Sequence, residues 1–428
     1  MKRFAVLGLA VAVGVASTAH AQLTMNVSNG WAFTFSGNVN AFYVESWSNS
    51  RATPATINGG AVVQGDGANA NIRTGLLPAI ASFAAKGKEG DWDIGVQFAF
   101  DPQIQNGGCA TCNGGNTHDQ FGAQIDLREA YLTIGKADFG QILAGREIGL
   151  FLRQNILTDA TLFGTGPTGG NRGAGGTTLG RIGFGYIYPN FNAQITYSTP
   201  VGKALNWSIG VFQPSAIQAS GTAVGGALGT TAFAYTPLPR VESEATLDLK
   251  VGQGKGDNVK LWLNGTWQEA KLNPTGADTG SLTNPKVDAV GLGAGGKIDV
   301  SRLSLVGSGY YGRGIGTTLM FDGTSLDANG QMRSSYGYIG QATLKLDPQW
   351  SVVASYGESF IDGTQYDKFV DPSYGTLVKY NSAAVGGIVY QWTKSVKAVL
   401  EYTYQEAANT AGGKNISNNL SGGLMLFF

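Results

Sequence analysis

The sequence predicts an all-β protein, a transmembrane antiparallel β-barrel of sixteen strands, and three observations carry that expectation. Apolar and polar residues alternate with period two from Trp31 to Phe428. The connections between alternating segments are short and long by turns. Past Gln22 no run of about 18 apolar residues occurs, so the expected membrane-spanning element is a strand, and strands in hydrocarbon must close on one another because open edges cannot be satisfied there.

The segments follow in order at 31–46, 71–87, 91–101, 121–135, 140–147, 178–199, 204–213, 240–251, 259–270, 286–299, 302–313, 333–346, 350–361, 379–392, 396–406 and 417–428. In the third, Trp92, Ile94, Val96, Phe98 and Phe100 fall on one face, and Asp93, Gly95, Gln97, Ala99 and Asp101 on the other. The segment 240–251 sets Val241, Ala245, Leu247 and Leu249 against Glu242, Glu244, Asp248 and Lys250. In 259–270 the polar face carries Lys260, Asn264, Thr266 and Gln268. An even strand number returns both termini to one side, as single-chain bacterial barrels require. The sixth segment contains Pro189, which a central strand tolerates poorly; a turn at 189–191 would call for another strand near 230–236 and raise the count to eighteen.

Long connections at 47–70, 102–120, 148–177, 214–239, 271–285, 314–332, 362–378 and 407–416 alternate with short turns near Lys88, Lys136, Val201, Ser301 and Asp347. A soluble sandwich has no reason to keep that order. Trp31, Trp92, Trp350, Trp392, Tyr336, Tyr338, Tyr402 and Tyr404 stand near strand ends, where interfacial girdles form. Composition agrees: 65 Gly against 13 Pro, 11% aromatic and only 14% charged residues suit strands that face lipid on one side and water on the other.

Residues 1–21 read as a secretory signal peptide, with Lys2 and Arg3 ahead of an apolar stretch and Ala19-His-Ala21 as a cleavage site. The barrel domain is then 22–428. The formal charge, zero for the whole chain, gives no reason to expect nucleic acid. Cys109 and Cys112, in CATC between two NGG runs, are expected to form a small loop disulfide in an oxidising compartment. Catalysis finds little support: His118 is the one histidine left after cleavage and no G-x-S-x-G turn accompanies it. The run Gly291-Leu-Gly-Ala-Gly-Gly296 lies mid-strand and opens no helix, so close strand approach, or small side chains beneath a neighbouring aromatic, explains it better than a dinucleotide site. No cofactor or metal is expected.

The run Arg128 to Arg146, REAYLTIGKADFGQILAGR, is two amphipathic strands around a turn at Lys136 to Phe139. It resembles the strand 4, turn, strand 5 signature of the general porins of Gram-negative outer membranes. The segment Tyr188 to Tyr197 resembles strand 6 of the same family, and the terminal Phe428 resembles the signal by which such barrels are recognised for insertion. The resemblance implies an outer-membrane location reached through the periplasm, contact with outer-membrane lipid, a homotrimer, and a third long loop folded into the lumen. Carried over by position, that loop is 148–177, with Arg153, Asp159 and Arg172 within it and Arg146 and Glu147 at its base. The family's loop is mainly acidic and this one is mixed.

Candidate constriction residues are therefore Arg128, Arg146, Glu147, Arg153 and Asp159. Parity adds Asp93, Asp126, Glu242, Asp248, Lys250 and Lys260 as lumen wall, with Asp288, Lys345, Glu358, Lys397 and Glu401 as further inward candidates, roughly balanced in sign. The expected function is a water-filled channel for passive diffusion of small hydrophilic solutes and ions. The alternatives are a channel selective for sugars or organic anions, against which the scattered inward aromatics Phe42, Phe212 and Trp262 argue, and a non-conducting barrel whose loops bind a partner.

Overall fold

A computed structural model describes residues 23–27, 30–51, 56–105, 125–170, 176–219, 233–252, 256–271 and 286–428. The strands are β1 (Leu23–Asn26), β2 (Ala32–Arg51), β3 (Gly67–Arg73), β4 (Ile80–Glu89), β5 (Trp92–Pro102) and β6 (Ile125–Lys136). After them come β7 (Gly140–Ile148), β8 (Phe191–Ser198), β9 (Leu205–Phe212), β10 (Arg240–Lys250), β11 (Asn258–Lys271) and β12 (Lys286–Val300). The last six are β13 (Leu303–Arg313), β14 (Ser334–Lys345), β15 (Trp350–Asp362), β16 (Val378–Gln391), β17 (Val396–Asn409) and β18 (Lys414–Phe427). Two short helices, α1 (Arg153–Leu157) and α2 (Gln365–Phe369), lie in the connections.

Sixteen of these strands, β2 and β4 to β18, form a closed antiparallel barrel in which each pairs with its neighbours in sequence. Closure runs along the whole of β18, from Phe427 opposite Asn38 to Lys414 opposite Arg51. Phe428 completes it with paired backbone bonds to Gly37 of 2.8 and 3.0 Å. β1 and β3 are additions on β2: β1 pairs with 32–35, and β3 takes over from β4 along the far half of β2, at Phe42–Ser48.

Two expected strands differ from the sequence reading, both for the same reason. The expected strand 71–87 is broken at 74–79, where Pro78 follows two leucines; the chain turns inward and Leu76 and Leu77 become buried. Asn40 holds that turn, accepting from Gly75 N at 2.9 Å and donating to Leu77 O at 2.9 Å. The expected strand 178–199 keeps only β8. Residues 178–190 belong to the third loop, which thus runs from 149 to 190 rather than ending at 177, and Asn190 leaves it in a left-handed conformation (φ 56°). Apolar residues buried inside a lumen alternate as strand residues do, and only Pro189 distinguished the two. The barrel therefore keeps sixteen strands without recourse to 230–236; of that stretch, Phe233 and Tyr235 make isolated bridges and 230–232 lie outside the described residues.

The outer face is apolar in the residues that alternation assigns to it: Val96, Phe98 and Phe100 on β5, Leu261 and Leu263 on β11, and Leu420 and Leu424 on β18 are all exposed. A belt of this extent around a closed barrel matches a lipid environment rather than water. Trp92, Trp350 and Trp392 mark its short-turn end and Tyr43, Tyr338 and Tyr402 its long-loop half. The main buried core lies inside the barrel: Phe42, Val399 and Met425 of the wall gather with Leu76, Leu77, Phe151, Leu152 and Leu162 of the loops.

Candidate functional site

The third loop crosses the lumen and is bound to the wall along its length, strand after strand. Glu242 on β10 starts the series, its carboxylate accepting from Leu150 N at 2.7 Å and Phe151 N at 2.9 Å. Glu244, two residues on and therefore on the same inner face, pairs with Arg153 and accepts from Gln154 at 3.0 Å. On β11, Asn264 accepts from Leu152 N at 3.2 Å; on β13, Ser308 accepts from Asn155 at 2.9 Å. Gln341 on β14 accepts from Ala160 N and donates to Thr158 O. Glu401 on β17 accepts from Thr165 N at 2.7 Å and Gly166 N at 3.0 Å, and Gln405 accepts from Gly169 N at 3.0 Å.

Glycines on β12 make room for this docking. Gly291 and Gly293 face inward, and a Cβ on either would lie 2.7 Å from Phe151 or 2.5 Å from Leu152. The glycine run is thus a seat for two apolar side chains of the loop, the close aromatic approach expected of it.

Within the loop, Asp159 is a hub. One carboxylate oxygen accepts from Thr161 N and hydroxyl, each at 2.8 Å; the other accepts from the Tyr186 hydroxyl at 2.7 Å and Arg181 N at 3.3 Å. Arg181 extends to the wall and donates to Ala383 O on β16 at 2.8 Å. Burial lowers the Arg181 guanidinium to about 10 and raises the Tyr186 phenol, so at neutral pH Arg181 is cationic and Tyr186 is a neutral donor.

The structure brings Glu147, Arg153, Asp159 and Glu242 into this framework, all buried. Arg128 also faces inward, through a bulge: Ala99 pairs with Glu129 but Phe100 with Leu127, so Arg128 is the extra residue. It contacts Asp101 at 2.9 Å and Asp126 at 3.3 Å. The bulge also brings Glu129 to the inner face, where it bonds Gln97, a contact that sequence parity missed because nothing in the run marks a bulge.

Three inward expectations are corrected. Arg146 lies in register with Ala130 on one side and Ala193 on the other, in the row of exposed Phe98, and so belongs to the outer face. Its place at the base of the third loop beside Glu147 suggests the lumen, but β7 turns Gly145 and Glu147 inward and Arg146 between them outward. Glu358 faces outward between two exposed tyrosines, Tyr338 and Tyr356, whose hydroxyls it accepts. Asp288 sits between inward Val287 and Ala289. Phe42, Phe212 and Trp262 are inward but buried, so they line no exposed aromatic track.

Asp93, Asp248, Lys250 and Lys260 face inward toward the short-turn end, and with them Lys86, Lys88 and Lys297, which the sequence reading did not single out. Lys88 lies 3.6 Å from Asp93. Cys109, Cys112, His118 and Arg172 lie outside the described residues.

No protein-family model matches the chain, and no curated protein matches it by sequence. Solved structures do. The chain is similar to the outer membrane channel DcaP of Acinetobacter baumannii, with a TM-score of 0.64 and 16% identity over 94% of this chain and 99% of that one. It is also similar to an anion-selective porin from Comamonas acidovorans (TM-score 0.57, 14% identity, 93% and 100% covered). A third likeness is to OmpF of Salmonella typhi (TM-score 0.51, 13% identity, 95% and 100% covered). The chain shares the fold of these outer-membrane channels and porins.

Proposed function

We propose that the protein is an outer-membrane porin, a water-filled channel through which small hydrophilic solutes and ions diffuse passively. The observation that carries this reading is the third loop, bound across the lumen by Glu242, Glu244, Gln341 and Glu401 so that it narrows the barrel without detaching from its wall. A lumen filled with water spares a solute the cost of dehydration, and a fixed loop sets the size limit. Arg128, Glu147, Arg153 and Asp159 form the constriction, Arg128 from the wall at β6.

The mature chain begins after Ala21 and assembles as a homotrimer, as the porin fold suggests, with lipid against the remaining belt. Purified protein added to a planar bilayer is expected to give discrete ohmic current steps. A folded barrel that inserts and carries no current would refute the channel.

A further inference from the structure

Below the third loop the inner wall changes character. Three lysines stand on it, each four residues toward the short-turn end from a wall position that seats the loop: Lys260 from Asn264, Lys297 from Gly293 and Lys345 from Gln341. Lys397, at the same offset from Glu401, is covered by the loop, its Nζ 3.5 Å from the centre of the Phe163 ring. Four residues are two inward-facing steps, about 13 Å along a strand. The loop seats follow the tilt of the barrel around its circumference, so equal offsets from them define one tier. Lys86 on β4 and Lys250 on β10 widen it.

Acidic residues do not balance this tier. Asp299 lies 3.2 Å from Lys297 and Asp93 pairs with Lys88, while Asp248 stands opposite Lys260 in register without an ion pair among the described residues. Lys86, Lys250 and Lys345 are exposed. Above the tier the carboxylates are more numerous but engaged: Glu242 and Glu401 hold backbone N–H groups of the loop, Glu244 holds Arg153 and Asp101 holds Arg128. They are buried, so the accessible charges near the short-turn end are the lysines of the tier with Asp93, Asp248 and Asp299 among them, and the lysines outnumber the carboxylates. The Debye length at physiological salt, about 8 Å, is large enough for such a ring to act well out from its wall.

We propose that this tier makes the channel selective for anions, with small carboxylates and inorganic anions as its favoured solutes. The inference rests on the channel reading and adds a substrate class to it. The lysines gather anions below the loop, and the buried ion pairs above keep the loop in place without contributing free charge to the path.

The test is reversal potential in a planar bilayer under a potassium chloride gradient. The intact protein is expected to reverse on the chloride side of zero. The Lys260→Gln, Lys297→Gln, Lys345→Gln triple variant is expected to shift toward zero while still conducting, and Lys345→Gln alone to shift in the same direction by less, which serves if the triple variant does not fold. A conducting protein that reverses on the potassium side, or variants that reverse where the intact protein does, would overturn the anion preference and leave the channel standing. A barrel without conductance would remove both.

Discussion

Arg146 and Glu147 are adjacent in sequence and opposite in space. Glu147 is buried in the lumen, whereas Arg146 shares the outer row of Phe98, Ala130 and Ala193. An arginine on that face touches no permeating ion, so Arg146→Ala is expected to leave single-channel conductance and reversal potential unchanged. A change in either would return Arg146 to the pore. Period two holds along β7 but breaks on β6, where the bulge at Arg128 places both Arg128 and Glu129 inward, and no residue in the run announces it. Asp248, Lys250 and Lys260 face inward where polar residues alternate with aliphatic neighbours, and Asp93 does so between Trp92 and Ile94. Glu358 departs from the expected lumen position because two tyrosine hydroxyls satisfy it on the outer face, Tyr356 from its own strand and Tyr338 from β14, and the cross-strand bond leaves no trace in sequence.

Among elements, the third loop and its seat on β12 set what the lumen admits. The wall gives up side chains at Gly291 and Gly293 so that Phe151 and Leu152 can fill the space. Gly293→Val is expected to displace Leu152, since its Cβ alone would lie 2.5 Å from that side chain, and overpacking of this kind costs roughly 1–3 kcal/mol. The readout is a larger and noisier single-channel conductance with the barrel intact by gel mobility. Conductance identical to the intact protein would mean that the seat does not position the loop. A second latch joins the outer connections: Arg333 makes two bonds to Asp367, at 2.8 and 2.6 Å, and both side chains are fully buried. Asp367 also caps α2, accepting from Thr364 N at 2.8 Å. Asp367→Ala therefore strands a buried guanidinium and uncaps a helix, a loss of about 3–5 kcal/mol locally. Limited proteolysis should then cut near 364–377 in the variant and spare the intact protein; equal resistance would show that the other contacts of these loops suffice.

For the whole molecule the deciding quantity is which face of each strand meets lipid. The exposed apolar belt and the buried polar lumen invert the arrangement of a soluble protein, and the low charge and abundant glycine of the sequence follow from that inversion. Closure, strand number and belt were therefore readable from alternation, while the loop's return through 178–190 was not, because an apolar segment packed inside a lumen carries the same pattern as one packed against lipid. Adjacent residues on β11 separate the two environments: Leu263 is exposed on the outer face and Asn264 is buried against the loop. Leu263→Arg places a charge against the hydrocarbon, where it costs about 2–4 kcal/mol near the bilayer midplane and little near the interfaces. Folding titrations into lipid vesicles should show that loss for Leu263→Arg, with a smaller one for the same change at Leu261, nearer the short-turn end. Equal stability of Leu263→Arg and the intact barrel would place this face against water or protein. It would also reverse the assignment of inner and outer walls on which the positions of Glu242, Lys260 and Arg146 all depend.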